Sequence, residues 1–164
     1  MFIWPEAQTE FEPGIRAPEN HESAWYFVFR GNEILLQEGD DGNWMPVAEA
    51  PDGDLHFMGR LGDTACFAAE TSQSDATFGG LRSLFGKTDH LMFSLAGRAL
   101  QIIEWYRTHR YCGKCGQPTR EHERDRAMVC DACRIHLYPR LSPSIIVLVH
   151  KDHEVLLARN HRFP

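Results

Sequence analysis

Apolar residues in the first half of the chain fall into short runs separated by turn residues, a pattern typical of β-strands. Residues 24–37, AWYFVFRGNEILLQ, hold two such runs on either side of the turn sequence RGNE and predict a hairpin. Residues 55–60 and 64–69 predict two further strands around a Gly-Asp pair. The pattern therefore predicts a β-rich N-terminal part.

Weaker patterns fill the gaps between these strands. Residues 1–23 carry three prolines and predict an extended arm or loop, and residues 38–54 predict a loop containing Trp44. A Trp at this position can stack on a flat ring, but it more often fills a core. Residues 72–87 predict a short helix that ends near Gly86.

One long helix is predicted from residues 88–110. Thr88 or Asp89 can cap it, and Arg107, His109 and Arg110 suit the negative end of its dipole. Its apolar positions recur at steps of three and four residues: Met92, Leu95, Ala96, Ala99, Ile102, Ile103 and Tyr106. The helix runs directly into the next segment, which we expect it to anchor.

Two Cys-x-x-Cys pairs follow the helix, with fourteen residues between them. They are Cys112 with Cys115 and Cys130 with Cys133. Zn²⁺ takes four thiolates tetrahedrally, and the spacing is one residue short of the usual zinc-ribbon window. The sequence therefore predicts a structural zinc site, and four sulfur ligands leave no open position at which water could be activated.

Other interpretations of these cysteines remain open. The pairs could form two disulfides or a redox motif, although no secretory leader precedes them. His109, His122 or His136 could also replace one cysteine as a ligand. The fifth cysteine, Cys66, lies between apolar residues and predicts a buried free thiol.

A second apolar region lies at the end of the sequence. SIIVLVH, residues 144–150, predicts a buried strand, and EVLLAR after a turn at 151–153 predicts its hairpin partner. The pattern repeats that of residues 24–37, either as a second copy of one hairpin design or by chance. Because a lone hairpin is marginal in water, we expect the chain to break off where another domain begins.

Composition and charge narrow the function classes. Hydrophobic residues make up 43% of the 164 residues, and no apolar run reaches membrane-spanning length, so we expect a soluble, cytoplasmic protein. Residues 98–140 hold nine Lys/Arg against five Asp/Glu, whereas residues 1–97 hold five against sixteen. The basic residues of 98–140 could attract phosphates. The contrast in charge favours instead mutual docking of the two parts, or charged side chains that are simply solvated.

Two segments carry a specific family resemblance. LAGRALQIIEWYRTHRYCGKCG, residues 95–116, and AMVCDACRIHLYPRLSPSIIVLV, residues 127–149, resemble the entry and exit of the zinc ribbon in NADH pyrophosphatases of the Nudix hydrolase family. The resemblance implies an α+β chain with four parts. These are a degenerate Nudix-like domain at 1–87, a linking helix at 88–110, a zinc ribbon at 111–140, and the first hairpin of a Nudix domain at 141–164.

The resemblance also implies an activity. The family hydrolyses the pyrophosphate of NADH or NAD⁺ to nicotinamide mononucleotide and AMP, and related members remove NAD caps from RNA. The reaction needs Mg²⁺ or Mn²⁺, held by the glutamates of the Nudix box, whose core reads R-E-U-x-E-E with U apolar. The sequence contains no such box, so we expect this chain alone to be inactive. The resemblance further implies a homodimer in which both subunits build the site.

Three family substrate contacts can be carried over. Tyr138 matches a position that contacts the dinucleotide, Asp125 stands where the family has Glu, and Arg82 matches a substrate-facing Arg with a shift of one residue. After Trp44-Met45-Pro46 the family can carry a Lys, but this chain has Val47, so that contact is not expected.

Two other functions compete with this interpretation. The first is a binding module without enzymatic activity, in which the ribbon presents Arg120, Arg124 and Arg126 to nucleic acid or to an acidic protein. The second is a structural or dimerising unit that binds no ligand.

Overall fold

The computed structural model describes residues 11–19, 23–73, 75–140, 142 and 145–162. One long helix, α1, spans His90–Thr108, and a 3₁₀ turn spans Leu81–Leu84. The strands in chain order are β1 (Phe11–Pro13), β2 (Ala24–Arg30), β3 (Glu33–Leu35), β4 (Leu55–Leu61), β5 (Thr64–Glu70), β6 (Phe78–Gly80), β7 (Arg120–Glu121), β8 (Met128–Cys130), β9 (Ile135–Leu137), β10 (His150–Lys151) and β11 (Glu154–Val155).

A six-stranded sheet forms the N-terminal part, with the order β1-β4-β5-β2-β3-β6. The two predicted hairpins are confirmed, since β2 pairs with β3 and β4 with β5, both antiparallel. The central pair, β2 and β5, is parallel from Ala24–Ala65 to Phe29–Glu70. These two strands are nearly continuous apolar runs because both faces of the sheet are covered.

Helix α1 packs on one face of this sheet. Asp89 caps it, since the carboxylate Oδ1 accepts a hydrogen bond from the Met92 N–H at 2.7 Å. Leu95, Ala96 and Ala99 are fully buried against the sheet residues Phe27, Phe29 and Met58. Trp44 also fills this core, at 3% exposure, and its indole N–H donates to the Leu35 carbonyl at 2.8 Å. The helix and the core role of Trp44 are therefore confirmed.

The helix predicted at 72–87 is wrong, and the arm predicted at 1–23 contains a strand that the sequence did not predict. Within the predicted arm, Phe11–Pro13 forms an edge strand on β4; residues 1–10 and 20–22 lie outside the described part. Gly59 allows this strand to pack closely on β4. A Cβ at this position would lie only 2.1 Å from the Glu12 carbonyl oxygen. In the predicted helix of 72–87, only the 3₁₀ turn is helical, because Phe78–Gly80 pairs with β3 instead. Pairing with a sheet edge thus prevails over weak helical spacing.

The ribbon is a three-stranded antiparallel sheet of order β7-β8-β9. It docks on the end of α1, where the Trp105 indole N–H donates to the Leu137 carbonyl at 3.1 Å and the Tyr106 hydroxyl donates to the Glu121 carboxylate. A hairpin of β7 and β8 joins the two cysteine pairs, and β9 follows the second pair as a third strand.

The buried strand predicted at 144–150 is wrong over the described residues; Ser144 lies outside them. Residues 145–149 form no strand and are exposed, with Ile146 at 103%. Only β10 and β11 pair, as His150–Val155 and Lys151–Glu154, around a turn in which Asp152 has φ 52°. An apolar run becomes a buried strand only where other elements cover it, and here every side chain of 145–149 is at least half exposed. In the described ranges, no helix is long and apolar enough to span a membrane.

Candidate metal centre and ribbon surface

The four cysteine thiols predicted as ligands converge on one point. The Sγ atoms of Cys112, Cys115, Cys130 and Cys133 all lie within 4.8 Å of one another. Four sulfurs at about 2.3 Å from a tetrahedral ion lie about 3.8 Å apart, so the cluster has the size that Zn²⁺ requires. Cys115 and Cys130 approach to 3.5 Å, which is longer than a disulfide of about 2.05 Å, and all four cysteines are free.

The two halves of the cluster share one backbone design. The Cys112 carbonyl accepts from the Gly116 N–H at 2.8 Å, and the Cys130 carbonyl accepts from the Arg134 N–H at 2.8 Å. Both donors have positive φ, 72° for Gly116 and 54° for Arg134. Each pair of cysteines is thus held by one tight turn, with a glycine in the first turn and an arginine in the second.

Backbone dipoles and thiol crowding set the protonation of the cluster. The backbone N–H groups of Lys114 and Cys115 point at the Cys112 sulfur and lower its pKa to about 7. Hydrogen bonding with Cys115, followed by burial, raises the pKa of Cys133 to about 12. The thiols therefore cannot all ionise together without a cation among them.

The histidines near the ribbon are not part of this cluster. Among the described residues, only the four cysteines bring metal-ligating atoms together. His109 instead contacts the Trp105 carbonyl through Nδ1 at 2.8 Å, and His122 and His136 face each other with ring centroids 5.0 Å apart. The structure thus gives these rings other contacts than the metal site.

Cys66 is a buried free thiol, as predicted. Its side chain is fully buried within β5, and burial raises the pKa of the thiol to about 11. Such a group stays protonated and unreactive near neutral pH.

A cleft of about 430 Å³ separates the ribbon from the N-terminal sheet. The Arg126 guanidinium reaches across it to the Gly14 carbonyl and, at 2.7 Å, to the Phe57 carbonyl. His56 lies on Tyr106 with ring centroids 4.1 Å apart, and burial lowers the pKa of this imidazole. The cleft is therefore bridged by a half-buried cation and lined by an imidazole whose neutral form burial favours.

The docking of the two parts also uses opposite charges. Arg107 pairs with Glu70 at 2.7 Å, and Arg110 lies 3.6 Å from Asp54. The contrast of charge between the halves of the sequence thus contributes to mutual docking. Arg120 pairs with Asp131 through two contacts of 2.9 Å. The three arginines proposed for a binding module therefore do not form one free cationic surface, since Arg126 points inward and Arg120 is paired.

The predicted substrate contacts lie at different places. Tyr138 is 51% exposed just after β9, and Asp125 lies in the turn between β7 and β8. The two rings of His136 and His122 connect them, since Tyr138 lies edge-on to His136 at 6.1 Å and the Asp125 N–H donates to His122 Nδ1 at 3.0 Å. Arg82 lies in the 3₁₀ turn of the N-terminal part, and none of its described contacts joins it to the ribbon.

The sequence reasoning missed the two histidines as part of this surface. It treated them only as alternative metal ligands. The signal was present in the alternation of ribbon positions, since residues two apart on a strand share one face. Applied to 120 and 122 on one strand and to 136 and 138 on the other, this rule puts His122 on the face of Arg120 and Tyr138 on the face of His136, and the sheet register then brings the two strands' faces together.

Comparison with known proteins supports one family for the whole chain. Residues 23–105 match the model of an NADH pyrophosphatase-like rudimentary NUDIX domain, and residues 107–138 match that of an NADH pyrophosphatase zinc ribbon domain. The first match covers half of the chain, and the second contains all four clustered cysteines.

Similar curated proteins are named NAD-capped RNA hydrolase NudC. The protein from Deinococcus radiodurans is 34% identical over 96% of this chain and 58% of its own length. The one from Stutzerimonas stutzeri is 49% identical over 85% of this chain and 53% of its own length. A Klebsiella pneumoniae protein is 34% identical over 90% of this chain and 57% of its own length. This chain therefore spans about half the length of these relatives, and it belongs to the NADH pyrophosphatase-like family of Nudix hydrolases.

Proposed function

We propose that this chain is the N-terminal and zinc-ribbon portion of an NAD(H) pyrophosphatase. The whole enzyme would hydrolyse the pyrophosphate of NADH or NAD⁺ to AMP and the reduced or oxidised nicotinamide mononucleotide, respectively. It would cleave the same pyrophosphate bond in the NAD cap of RNA. The observation that carries this proposal is the succession of the two family matches, rudimentary Nudix domain and then ribbon, along one chain. The names of the relatives agree with it.

We assign a structural Zn²⁺ to Cys112, Cys115, Cys130 and Cys133. The size of the cluster fits this ion, and the donor set of four thiols suits it. The bound ion would supply the cation that allows all four thiols to ionise, and it would hold a sheet too small to have a core of its own. The chemistry of hydrolysis would lie elsewhere.

Tyr138 and Asp125 are the residues of this chain that we assign to the substrate. An exposed phenol ring can stack on a nicotinamide or adenine ring, and a carboxylate can accept hydrogen bonds from ribose hydroxyls or an amino group. Their connection through His136 and His122 places both on the ribbon. Arg82 remains a proposed substrate contact on the basis of the family resemblance. Because it lies on the N-terminal part, the dinucleotide would have to span both parts to reach it.

The divalent cation and the catalytic glutamates belong to a Nudix box, which residues 1–164 lack. We therefore propose that this chain alone does not hydrolyse NADH, and that Mg²⁺ or Mn²⁺ acts only with such a box. We also propose a cytoplasmic homodimer, as the family resemblance implies.

The test begins with the coding region that contains this chain. Its sequence beyond residue 164 is determined, and the complete reading frame is expressed and incubated with NADH and Mg²⁺ or Mn²⁺. Separation of products by liquid chromatography should show reduced nicotinamide mononucleotide and AMP in equal amounts. A stop codon directly after Pro164, or a complete protein that leaves NADH intact with both cations, would contradict the proposal.

A matched pair of variants tests Tyr138 in the same assay. Tyr138→Ala should lower kcat/KM by at least about fivefold, because it removes a stacking ring. Tyr138→Phe keeps the ring and should retain most of the activity. Equal losses in both variants would assign Tyr138 a hydroxyl role, and no loss in either would remove it from the substrate site.

A further inference from the structure

Three aromatic side chains form a continuous row on the ribbon. The rings of His122 and His136 have centroids 5.0 Å apart, and Tyr138 lies edge-on to His136 at 6.1 Å. We call these three residues the ribbon aromatic row. Only Tyr138 has a role assigned by family resemblance, so the two histidines extend its surface by two rings.

The register of the ribbon sheet places the row on one face. Val129 pairs with Arg120 on one side and with His136 on the other, so these three side chains share a face. His122 follows Arg120 by two residues and Tyr138 follows His136 by two, which returns both to that face. The row therefore lies across the sheet, over the buried side chain of Val129.

The opposite face of the sheet is already occupied. It carries Glu121, which accepts from the Tyr106 hydroxyl, and Met128, which is 3% exposed. The Trp105 indole also donates to the Leu137 carbonyl from the α1 side. The face with the aromatic row is the more accessible one, since His136 and Tyr138 are exposed, whereas His122 is partly buried and lines the cleft toward the N-terminal sheet.

His122 is held in a fixed orientation. Its Nδ1 accepts hydrogen bonds from the Arg124 N–H at 3.2 Å and the Asp125 N–H at 3.0 Å. These two backbone donors hold the ring plane of His122 in place. Asp125 Oδ2 also approaches the same nitrogen, at 3.5 Å.

Internal packing accounts for only part of this arrangement. One aliphatic side chain would cover Val129 as well as a histidine does, and it would not need the paired backbone donors that orient His122. A flat, oriented ring beside two exposed rings is instead the arrangement on which nucleic acid bases stack. Every base offers a flat aromatic face, so such a surface tolerates many sequences.

We propose that the ribbon aromatic row binds the bases of single-stranded RNA by stacking. The choice of RNA rests on the proposed function, in which a capped RNA continues from the dinucleotide. Tyr138 then contacts the dinucleotide end, and His136 and His122 take the bases that follow. The row acts as the specificity surface that distinguishes a capped RNA from the free dinucleotide.

The charges beside the row suit this ligand but are few. Arg124 lies in the turn after His122, and Arg140 follows Tyr138 by two residues. Across the described ranges of the chain, neither has a carboxylate within ion-pair distance. With two or three phosphate contacts, the slope of log K against log salt should be about −2, so stacking should supply much of the affinity.

The test measures binding of a fluorescein-labelled, uncapped RNA decamer to the zinc-loaded chain by fluorescence anisotropy. His136→Leu covers Val129 but removes the aromatic ring, whereas His136→Phe keeps both. We expect His136→Leu and His122→Leu each to weaken binding by at least about fivefold, and His136→Phe to bind within about twofold of the parent. The same decamer with abasic sites should bind as weakly as the leucine variants.

Controls separate stacking from folding. His153→Leu changes an exposed histidine in the turn of the terminal hairpin and should leave RNA binding unchanged. Zinc content and the melting temperature of every variant should equal those of the parent. The proposal is overturned if His136→Leu binds like the parent, if abasic RNA binds like the intact decamer, or if the parent binds no RNA. Because NADH hydrolysis is measured separately on the complete protein, loss of RNA binding with hydrolysis intact would overturn only this inference.

Discussion

The N-terminal sheet and the ribbon keep their shape by different means. The sheet and α1 enclose one apolar core in which Phe27, Phe29 and Leu95 are fully buried. The ribbon has three strands of two or three residues each, and two of its buried side chains, Cys112 and Cys130, belong to the metal cluster. A sheet of this size cannot bury enough apolar surface to fold unaided, so a bound ion must supply the difference.

This contrast teaches that the two parts should fail separately. Apolar burial stabilises the first part whether or not metal is bound, whereas chelation removes the main support of the second. The contacts between them include the hydrogen bonds of Trp105 with Leu137 and of Arg126 with Phe57. Loss of the ribbon should therefore leave the sheet and helix folded.

The largest expected effect is loss of the ribbon through one metal ligand. Cys115→Ser should reduce bound zinc from about one equivalent to nearly none and unfold residues 107–140, because three ligands retain much less of the binding free energy. Mass spectrometry of metals and amide hydrogen exchange measure the two effects. Cys66→Ala is the matched control and should keep full zinc, since Cys66 lies far from the cluster in β5. If Cys115→Ser kept a full equivalent of zinc and its ribbon amides stayed protected from exchange, the claim that metal stabilises the ribbon would be refuted.

The next largest effect concerns the apolar core. Leu95→Ala should lower the free energy of unfolding by about 2–5 kcal/mol, because it opens a cavity under α1 where Leu95 is fully buried. Zinc content should not change, since this residue does not contact the ribbon cluster. Denaturant titration followed by fluorescence gives the free energy. Leu156→Ala removes an exposed leucine and should change it by less than about 0.5 kcal/mol.

The metal centre could be predicted from the sequence because its signal is local. Four cysteines at ribbon spacing specify one geometry, and the structure brings their sulfurs within 4.8 Å. The same holds for α1 and for the two N-terminal hairpins, in which periodicity or turn chemistry lies within a single short segment.

Long-range pairing could not be predicted in this way. The parallel pair of β2 and β5 joins residues about forty positions apart, and the sequence of neither strand indicates which strand it pairs with. At 145–149 a predicted feature is instead missing. The apolar residues predict burial, but the sequence of this segment does not show whether another element covers it. Tyr138 and Asp125 were assigned separately, and their connection through two histidines depended on ribbon register, which the sequence alone left open.

A smaller effect would come from pH at the junction between the two parts. Burial lowers the pKa of His56, so the folded state favours the neutral imidazole that packs on Tyr106. Its contribution to stability is complete above the unfolded pKa of about 6.5 and is lost as the pH falls from there through the folded value. We expect the melting temperature to fall less between pH 7.5 and pH 5.5 in His56→Phe than in the parent. Because zinc release at low pH affects both proteins alike, parallel pH profiles would exclude His56 as a determinant of docking.

The smallest expected effect compares the two turns that hold the metal. Gly116 and Arg134 occupy equivalent positions at φ 72° and 54°, and only glycine adopts this region without steric strain. Arg134→Gly should therefore stabilise the zinc-loaded ribbon, by up to about 1 kcal/mol, which is measured as a higher chelator concentration at half-release of zinc. Arg124→Gly, at a residue without positive φ, should not stabilise it. Arg134→Gly and Arg124→Gly could instead release zinc at the same chelator concentration. In that case the metal alone would stabilise the ribbon, and the backbone strain of the second turn would contribute nothing measurable.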